Sequence, residues 1–192
     1  MRLFVAINLP EEIRAAVREA VRPLEERGLP ARWLDPGSYH VTMKFIGEIR
    51  PDSGEPYVEV LRRVCSGYRP ADLSLEEVGA FPSLRRPNVL WVGVDPTPQL
   101  RALKHDLEHG YASLGVDRET RAFRPHVTVA RAHDDANAGE FRTLEDLARE
   151  IDVEASFTAE HLDLMRSRLR SDGAVYTVER EVPLTGGEDG ES

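Results

Sequence analysis

Two stretches of this sequence open with the same three residues: "HVTMKFIGE" at residues 40–48 and "HVTVARA" at residues 126–132. Each stretch is short, rich in β-branched and apolar residues and free of internal proline, which predicts a strand. The motif returns after 86 residues (126 minus 40), close to half of the 192-residue chain. A repeat at this spacing predicts two related lobes.

The repeated motif places polar side chains in pairs. Successive side chains of a strand point to opposite faces, so His40 and Thr42 share a face of the first strand. His126 and Thr128 share a face of the second in the same way. A lone His-x-Thr is ordinarily a satisfied histidine beside a surface threonine. The recurrence favours two polar pairs that face each other across a cleft.

The rest of the chain alternates between strand and helix patterns. The patterns predict strands at 2–9, 39–46, 71–83, 88–96 and 123–132, helices within 10–28, 51–68, 97–115 and 137–154, and two final strands within 157–184. Asp172-Gly173 between the last two strands is a strong hairpin-turn signal. This order favours an α+β fold with antiparallel sheets over a doubly wound parallel sheet.

Composition and charge limit the classes of function. With 41% hydrophobic and 31% charged residues, the chain falls in the ordinary globular range. A net charge of −9 argues against a protein that binds long nucleic acid through a basic surface. It leaves room for a small basic pocket.

The sequence also predicts where the protein resides. The opening "MRLFVAINLP" lacks the features of a signal peptide, and no stretch approaches the roughly 18 apolar residues of a membrane span. A single cysteine, Cys65, excludes an internal disulfide and fits a reducing compartment. We therefore expect a cytoplasmic protein without a membrane partner.

At this point the sequence resembles a known family. The two motifs, together with "RLFVAINLP" at the start and "RWLDPGSYH" before the first motif, resemble the two-histidine phosphoesterase superfamily. Within it, the chain is most similar to the RNA 2′,3′-cyclic phosphodiesterases, also called 2′-5′ RNA ligases. The resemblance implies a bilobal, pseudo-two-fold α+β fold in which two antiparallel sheets face each other across a groove, with helices outside. We expect one such domain at residues 1–184 and a flexible acidic tail at 185–192.

The resemblance also assigns residues to the site. It implies that His40 donates a proton, that His126 accepts one, and that Thr42 and Thr128 hold the phosphate. By position after each motif it adds two substrate-binding residues, Phe45 near the base and Arg131 near the phosphate. It implies a substrate that is RNA with a 2′,3′-cyclic phosphate end, tRNA fragments included. We further expect no metal, no cofactor and a monomeric protein.

The chemistry accounts for two histidines without reference to the family. When water opens a cyclic phosphodiester in line, the entering oxygen loses a proton and the leaving oxygen gains one, so a base and an acid are needed on opposite sides. Imidazole serves both roles because its pKa of roughly 6.5 leaves either protonation state accessible. Threonine hydroxyls can donate to the nonbridging oxygens, where charge accumulates. The symmetry of the motifs alone does not decide which histidine is the acid.

Other activities fit the same residues. The leading hypothesis is hydrolysis of RNA 2′,3′-cyclic phosphate ends to 2′-phosphate ends, with 2′-5′ ligation as the reverse reaction. The alternatives are a phosphodiesterase for a small cyclic nucleotide or an ADP-ribose-derived cyclic phosphate, and a noncatalytic module that binds RNA ends.

Several further residues can be interpreted either as ordinary solvent-exposed residues or as functional ones. His105 and His109, four apart on a helix, predict a solvated face rather than a metal pair. The arginines at 166, 168 and 170, and those at 85 and 86, predict solvated faces paired with acids, with contact to an RNA backbone as the alternative. Lys44 is expected by alternation to share the face of His40 and to add positive charge there.

Overall fold

An antiparallel sheet runs through the protein, and nine strands form it in the described part of the chain. The structure is a computed structural model that describes residues 1–170 and 173–186. The strands are β1 (Arg2–Asn8), β2 (Ala31–Trp33), β3 (His40–Glu48), β4 (Ala71–Ser83), β5 (Arg86–Val94), β6 (His126–Ala132), β7 (Ala155–Ala159), β8 (His161–Arg170) and β9 (Gly173–Pro183). The helices are α1 (Glu11–Glu26), α2 (Glu55–Cys65), α3 (Pro98–Ala112) and α4 (Leu144–Arg149).

The order of strands divides the sheet into two lobes. It runs β7-β4-β5-β6-β3-β1-β8-β9, with β2 paired to β6. The two motif strands, β3 and β6, are central and are joined by one residue pair, Val41 opposite Val127. The first lobe therefore consists of β3, β1, β8 and β9, and the second of β6, β5, β4, β7 and the short β2.

The α+β fold and its antiparallel pairing are confirmed. The two sheets expected to face each other are the two halves of this one sheet, continuous through Val41 and Val127. Strong strand twist curls such a sheet, so its halves turn toward each other without a break. β2 and β7 were not predicted as separate strands, because segments of 3 and 5 residues are too short to show a period.

The helices cover one face of the curled sheet. α1 and α4 contact each other and the strands β7 and β4 of the second lobe, while α2 and α3 contact each other and the strands β3, β8 and β9 of the first. Each helix packs on the sheet through an apolar face. In α1, Ile13, Val17, Val21 and Leu24 recur at helical spacing and all are buried. The helix-free face of the sheet is left as a cleft that spans both lobes.

The end of the chain is partly described. Thr185 and Gly186 donate backbone hydrogen bonds to the carbonyls of Cys65 (3.4 Å) and Tyr68 (2.8 Å). The rest of the predicted tail, residues 187–192, lies outside the described residues, as do Ser171 and Asp172 of the predicted hairpin turn. β8 and β9 on either side of that turn pair antiparallel, as a hairpin requires. In the described part of the chain, no helix is both long and apolar enough to span a membrane.

Candidate active site

The two motifs meet at the junction between the lobes. Val41 and Val127 are fully buried toward the helices, so their neighbours in each strand point into the cleft. In the antiparallel register set by this pair, His40 lies across from Thr128, and Thr42 lies across from His126. The two histidines are then diagonal neighbours, a relation that separates residues by about 7–8 Å. All four polar side chains are half-buried.

Both imidazoles are fixed by the same hydrogen bond. Nδ1 of His40 lies 2.7 Å from the carbonyl oxygen of Ser38, and Nδ1 of His126 lies 2.7 Å from that of Arg124. A carbonyl oxygen can only accept, so Nδ1 carries a proton in each ring. Nε2 is thereby left to exchange protons in the cleft, accepting when the ring is neutral and donating when it is charged.

A local turn positions the first of these rings. The Asp35 side chain accepts a hydrogen bond from the Gly37 backbone N–H at 2.6 Å and caps the 3₁₀ turn Pro36–Ser38. That turn holds the Ser38 carbonyl where His40 Nδ1 can reach it. The predicted turn at "DPGS" thus has a direct role in orienting the histidine.

Aromatic rings enclose each histidine. Phe4 and Tyr176 lie 5.2 and 5.1 Å from the His40 ring, measured between centroids, with Tyr176 edge-on. The sequence patterns did not indicate these neighbours, because they come from other strands and become adjacent only through the sheet.

The second lobe repeats the arrangement. Phe81 and Trp91 lie 5.0 and 6.1 Å from the His126 ring, with Phe81 edge-on. Trp91 lies flat over Gly79, where a Cβ atom would fall 2.1 Å from the indole. Glycine at this position is therefore what lets the indole form the floor of the cleft.

The aromatic surroundings change the acidity of both histidines. Burial lowers the pKa of His40 and the charge of His126 lowers it further, while the hydrogen bond to Ser38 opposes both effects. Burial likewise lowers the pKa of His126, against the hydrogen bond to Arg124. Each ring is therefore more easily deprotonated than a free imidazole.

A β-bulge after each motif changes which side chains enter the cleft. In the first lobe, Thr42 lies opposite Ala6 but Lys44 lies opposite Val5, so Met43 is an extra residue in β3. Phe45 then lies opposite Phe4, whose ring is 6.2 Å away, and faces the cleft. Its side chain is 65% exposed, an unusual state for phenylalanine.

The same bulge recurs in the second lobe. Thr128 lies opposite Trp91 but Ala130 lies opposite Leu90, so Val129 is the extra residue of β6. Arg131 therefore returns to the cleft face, five residues after His126, as Phe45 is five residues after His40. The structure thus brings all six predicted site residues to one face of the sheet.

Lys44 does not lie beside His40, and that expectation was wrong. The bulge turns its side chain to the helix face, where it is 2% exposed. There its Nζ donates to Glu108 Oε2 and to the Asp117 carbonyl oxygen, both at 2.6 Å. The cleft gains no charge from it.

The other sequence candidates lie away from the cleft or are paired. His105 and His109 are exposed on α3 with ring centroids 4.1 Å apart. Arg166 shares the face of the buried Leu3 and pairs with Glu179 at 2.8 Å. Arg85, mostly exposed, pairs with Glu145 at 3.2 Å. The interpretation as a solvated, acid-paired residue agrees with the contacts of Arg85, whereas Arg166 is acid-paired but only 27% exposed.

A curled antiparallel sheet with one His-x-Thr motif on each central strand defines the class of the two-histidine phosphoesterases. The chain belongs to the 2′-5′ RNA ligase superfamily, which it matches over residues 9–170. An RNA 2′,3′-cyclic phosphodiesterase of Aeropyrum pernix is 34% identical over 160 residues, which cover 81% of this chain and 87% of that protein. One of Methanothermobacter thermautotrophicus is 28% identical over 177 residues, covering 92% and 95%.

A solved structure supports the same assignment. The crystal structure of TT0787 of Thermus thermophilus matches with a TM-score of 0.79 at 27% sequence identity, covering 97% of this chain and 99% of that one. The family inferred from the two motifs is therefore confirmed.

Proposed function

We propose that the protein hydrolyses RNA 2′,3′-cyclic phosphate ends to 2′-phosphate ends by general acid-base catalysis. The observation that carries this proposal is the matched pair of imidazoles, each with Nδ1 held by a backbone carbonyl and Nε2 left for the cleft. A module that only binds RNA ends has no need of two oriented proton carriers. The names of the similar proteins from Aeropyrum pernix and Methanothermobacter thermautotrophicus support the same reaction and substrate.

The proposed reaction is a single in-line displacement at phosphorus. His126 Nε2 takes a proton from water as the water oxygen bonds to phosphorus, and His40 Nε2 gives a proton to the 3′ oxygen as its bond to phosphorus breaks. The product carries a 2′-phosphate and a free 3′-hydroxyl. The hydroxyls of Thr42 and Thr128 donate to the nonbridging oxygens in the transition state. With an RNA 5′-hydroxyl as the nucleophile in place of water, the same displacement forms a 2′-5′ linkage.

The direct test is the position of the product phosphate. An oligonucleotide ending in a 2′,3′-cyclic phosphate, incubated with the protein and excess EDTA, is expected to yield only the 2′-phosphate. ³¹P NMR distinguishes this product from the 3′-phosphate. A 3′-phosphate product, or activity lost in EDTA and restored by a metal ion, would contradict the proposal. A small cyclic nucleotide assayed in parallel tests the small-molecule alternative, which predicts a higher kcat/KM for that substrate.

We propose that the two side chains beyond the bulges bind the substrate. Phe45, exposed beside Phe4, would stack on the terminal base, and stacking is worth about 1–3 kcal/mol per base. Arg131 would contact the phosphate.

Alanine variants separate these two roles. Phe45→Ala is expected to raise KM by about 5- to 150-fold, as that stacking energy implies, with a small change in kcat. Arg131→Ala is expected to raise KM and to reduce the dependence of KM on salt. Steady-state kinetics at two salt concentrations would reject the assignment of either residue whose variant left KM unchanged.

The finer points of the substrate and setting also stand as proposals. We propose that the protein acts as a monomer in the cytoplasm on RNA fragments, tRNA fragments among them. The buried, free Cys65 is compatible with a reducing compartment.

A further inference from the structure

His161, Asp163 and Glu181 form a cluster on the cleft face of the first lobe. Asp163 on β8 lies directly opposite Glu181 on β9 and directly opposite Ala6 on β1. His161, two residues before Asp163, shares its face. One ligand atom from each of the three side chains lies within 4.8 Å of the others. The proposed reaction assigns no role to this cluster.

Asp163 is the unusual member of the cluster. It is 2% exposed, and its Oδ2 accepts a hydrogen bond from Asn8 Nδ2 at 2.6 Å. Its Oδ1 is also buried and has no hydrogen-bond partner among the described residues. This oxygen points toward His161, whose Nε2 is 3.7 Å away, too far for a hydrogen bond. A buried carboxylate oxygen without a partner costs free energy that a bound cation would offset.

The charges in the cluster favour a cation as well. Two carboxylates directly opposite each other on neighbouring strands repel. A divalent ion between the two carboxylates would remove the repulsion.

We propose that His161, Asp163 and Glu181 form a Zn²⁺ site through Nε2, Oδ1 and Oε2. His161 Nε2 is 3.4 Å from Glu181 Oε2 and 3.7 Å from Asp163 Oδ1. Zinc bonds of about 2.0–2.2 Å in tetrahedral geometry place ligand atoms about 3.4 Å apart. An octahedral Mg²⁺ with bonds of about 2.1 Å would need about 3.0 Å. These two separations are closer to the tetrahedral value, and together with the imidazole ligand they favour Zn²⁺, with water as the fourth ligand.

A hydrogen bond from a neighbouring residue orients one ligand of this site, and the site lies apart from the residues of the proposed hydrolysis. Asn8 holds the second oxygen of Asp163, which is how outer-shell partners orient metal-binding carboxylates. Asp163 and Thr42 lie on either side of Ala6, two strand spacings apart, or about 10 Å. A zinc ion there does not touch a phosphate bound between the two histidines.

Metal titration of the 192-residue chain tests the site without reference to catalysis. After dialysis against EDTA and removal of the chelator, the protein is expected to bind one Zn²⁺ in competition with a chromophoric chelator. Co²⁺ in its place is expected to give the strong visible absorption of four-coordinate cobalt. His161→Ala and Glu181→Gln should each weaken Zn²⁺ binding by at least about 100-fold. Both side chains are partly exposed, so these variants should melt at the same temperature as the wild type in EDTA.

The exposed histidine pair on α3 supplies the control. His105→Ala is expected to leave Zn²⁺ binding unchanged. Equal binding by His161→Ala and wild type, or the loss of binding in His105→Ala alone, would overturn the proposal, as would a wild type that binds no Zn²⁺. Because the readouts are stoichiometry, affinity and absorption, failure here and failure of the proposed hydrolysis are separate outcomes.

Discussion

Replacing either His40 or His126 with alanine is expected to lower kcat on a 2′,3′-cyclic phosphate end by about 10²- to 10⁴-fold. Each variant removes one of the two proton transfers while the rest of the cleft stays in place. The double variant is expected to be little slower than the worse single one, because residues that act as a unit have non-additive effects. Single-turnover rates measured by quenched flow give the chemical step directly.

The pH profile of the reaction rate should show the titration of both His40 and His126. One histidine must be charged and the other neutral, so the active fraction peaks between their two pKa values. Burial lowers both values in the free protein, so kcat/KM, which reports the free protein, is expected to peak below about pH 6.5. A bound phosphate anion favours the charged imidazoles and raises both values. The optimum of kcat should therefore lie at higher pH than that of kcat/KM. The pH profile should be bell-shaped, and each alanine variant should lose one of its two limbs.

A modified substrate decides which histidine is the acid. If sulfur replaces the bridging 3′ oxygen, the leaving thiolate needs no proton. His40→Ala should then recover most of its rate, while His126→Ala should not. Recovery in His126→Ala instead would exchange the two roles. His105→Ala, on the exposed face of α3, serves as the unaffected control, and near-normal rates in either active-site variant would remove the basis of the mechanism.

The sequence predicts the elements and the motif pairs because those signals are local. The strand character of residues 40–48 and the helical spacing of Ile13, Val17 and Val21 depend on neighbours within one or two turns. The identity of the two histidines follows from repetition, which one chain can display by itself. These parts of the fold and the site needed no knowledge of which strands pair.

The bulges lie beyond the reach of such signals. Strict alternation places Lys44 in the cleft and Phe45 on the helix face, and the structure reverses both. Whether Met43 is accommodated as an extra residue depends on the register of β1 against β3, which is a property of the pair of strands. The register puts Phe45 on the cleft face, and its role near the base, which the resemblance implies, stays a prediction.

The remaining parts of the site depend on distant segments. Tyr176 reaches His40 from β9, and Asp163 meets Asn8 across β8 and β1. The junction of the two lobes rests on one pairing between strands far apart in the chain. No pattern within a strand encodes which partner it will take, so these contacts appear only in three dimensions.

The buried position of Lys44 makes the stability of the protein depend on Glu108. Glu108→Gln is expected to destabilise the protein by about 3–5 kcal/mol, because it leaves Lys44 charged and buried without its carboxylate. Glu108 also accepts hydrogen bonds from Lys104 and, at 3.0 Å, from the Glu119 backbone N–H. Urea titration should show a lower midpoint with an unchanged slope, and the melting temperature should fall by about 10 °C. Glu12→Gln, on the exposed side of α1, should change stability by less than about 0.5 kcal/mol.

The pH dependence and the activity of Glu108→Gln show whether Lys44 is buried on the helix face or lies in the cleft beside His40. Burial raises the pKa of Glu108, but the hydrogen bonds from Lys104 and Lys44 outweigh it and hold that pKa below the usual value. The carboxylate therefore stabilises the fold fully above its unfolded pKa of about 4.3, and this contribution is lost as the pH falls through the lower, folded value. The gap in stability between wild type and Glu108→Gln should shrink over that acidic range. At 25 °C and neutral pH the folded variant should keep kcat within about twofold, since the Lys44–Glu108 pair lies on the helix face of the sheet, away from the reacting centre. An unchanged melting temperature together with a large loss of activity would contradict the buried position of Lys44. It would support the position in the cleft beside His40 that simple alternation predicts.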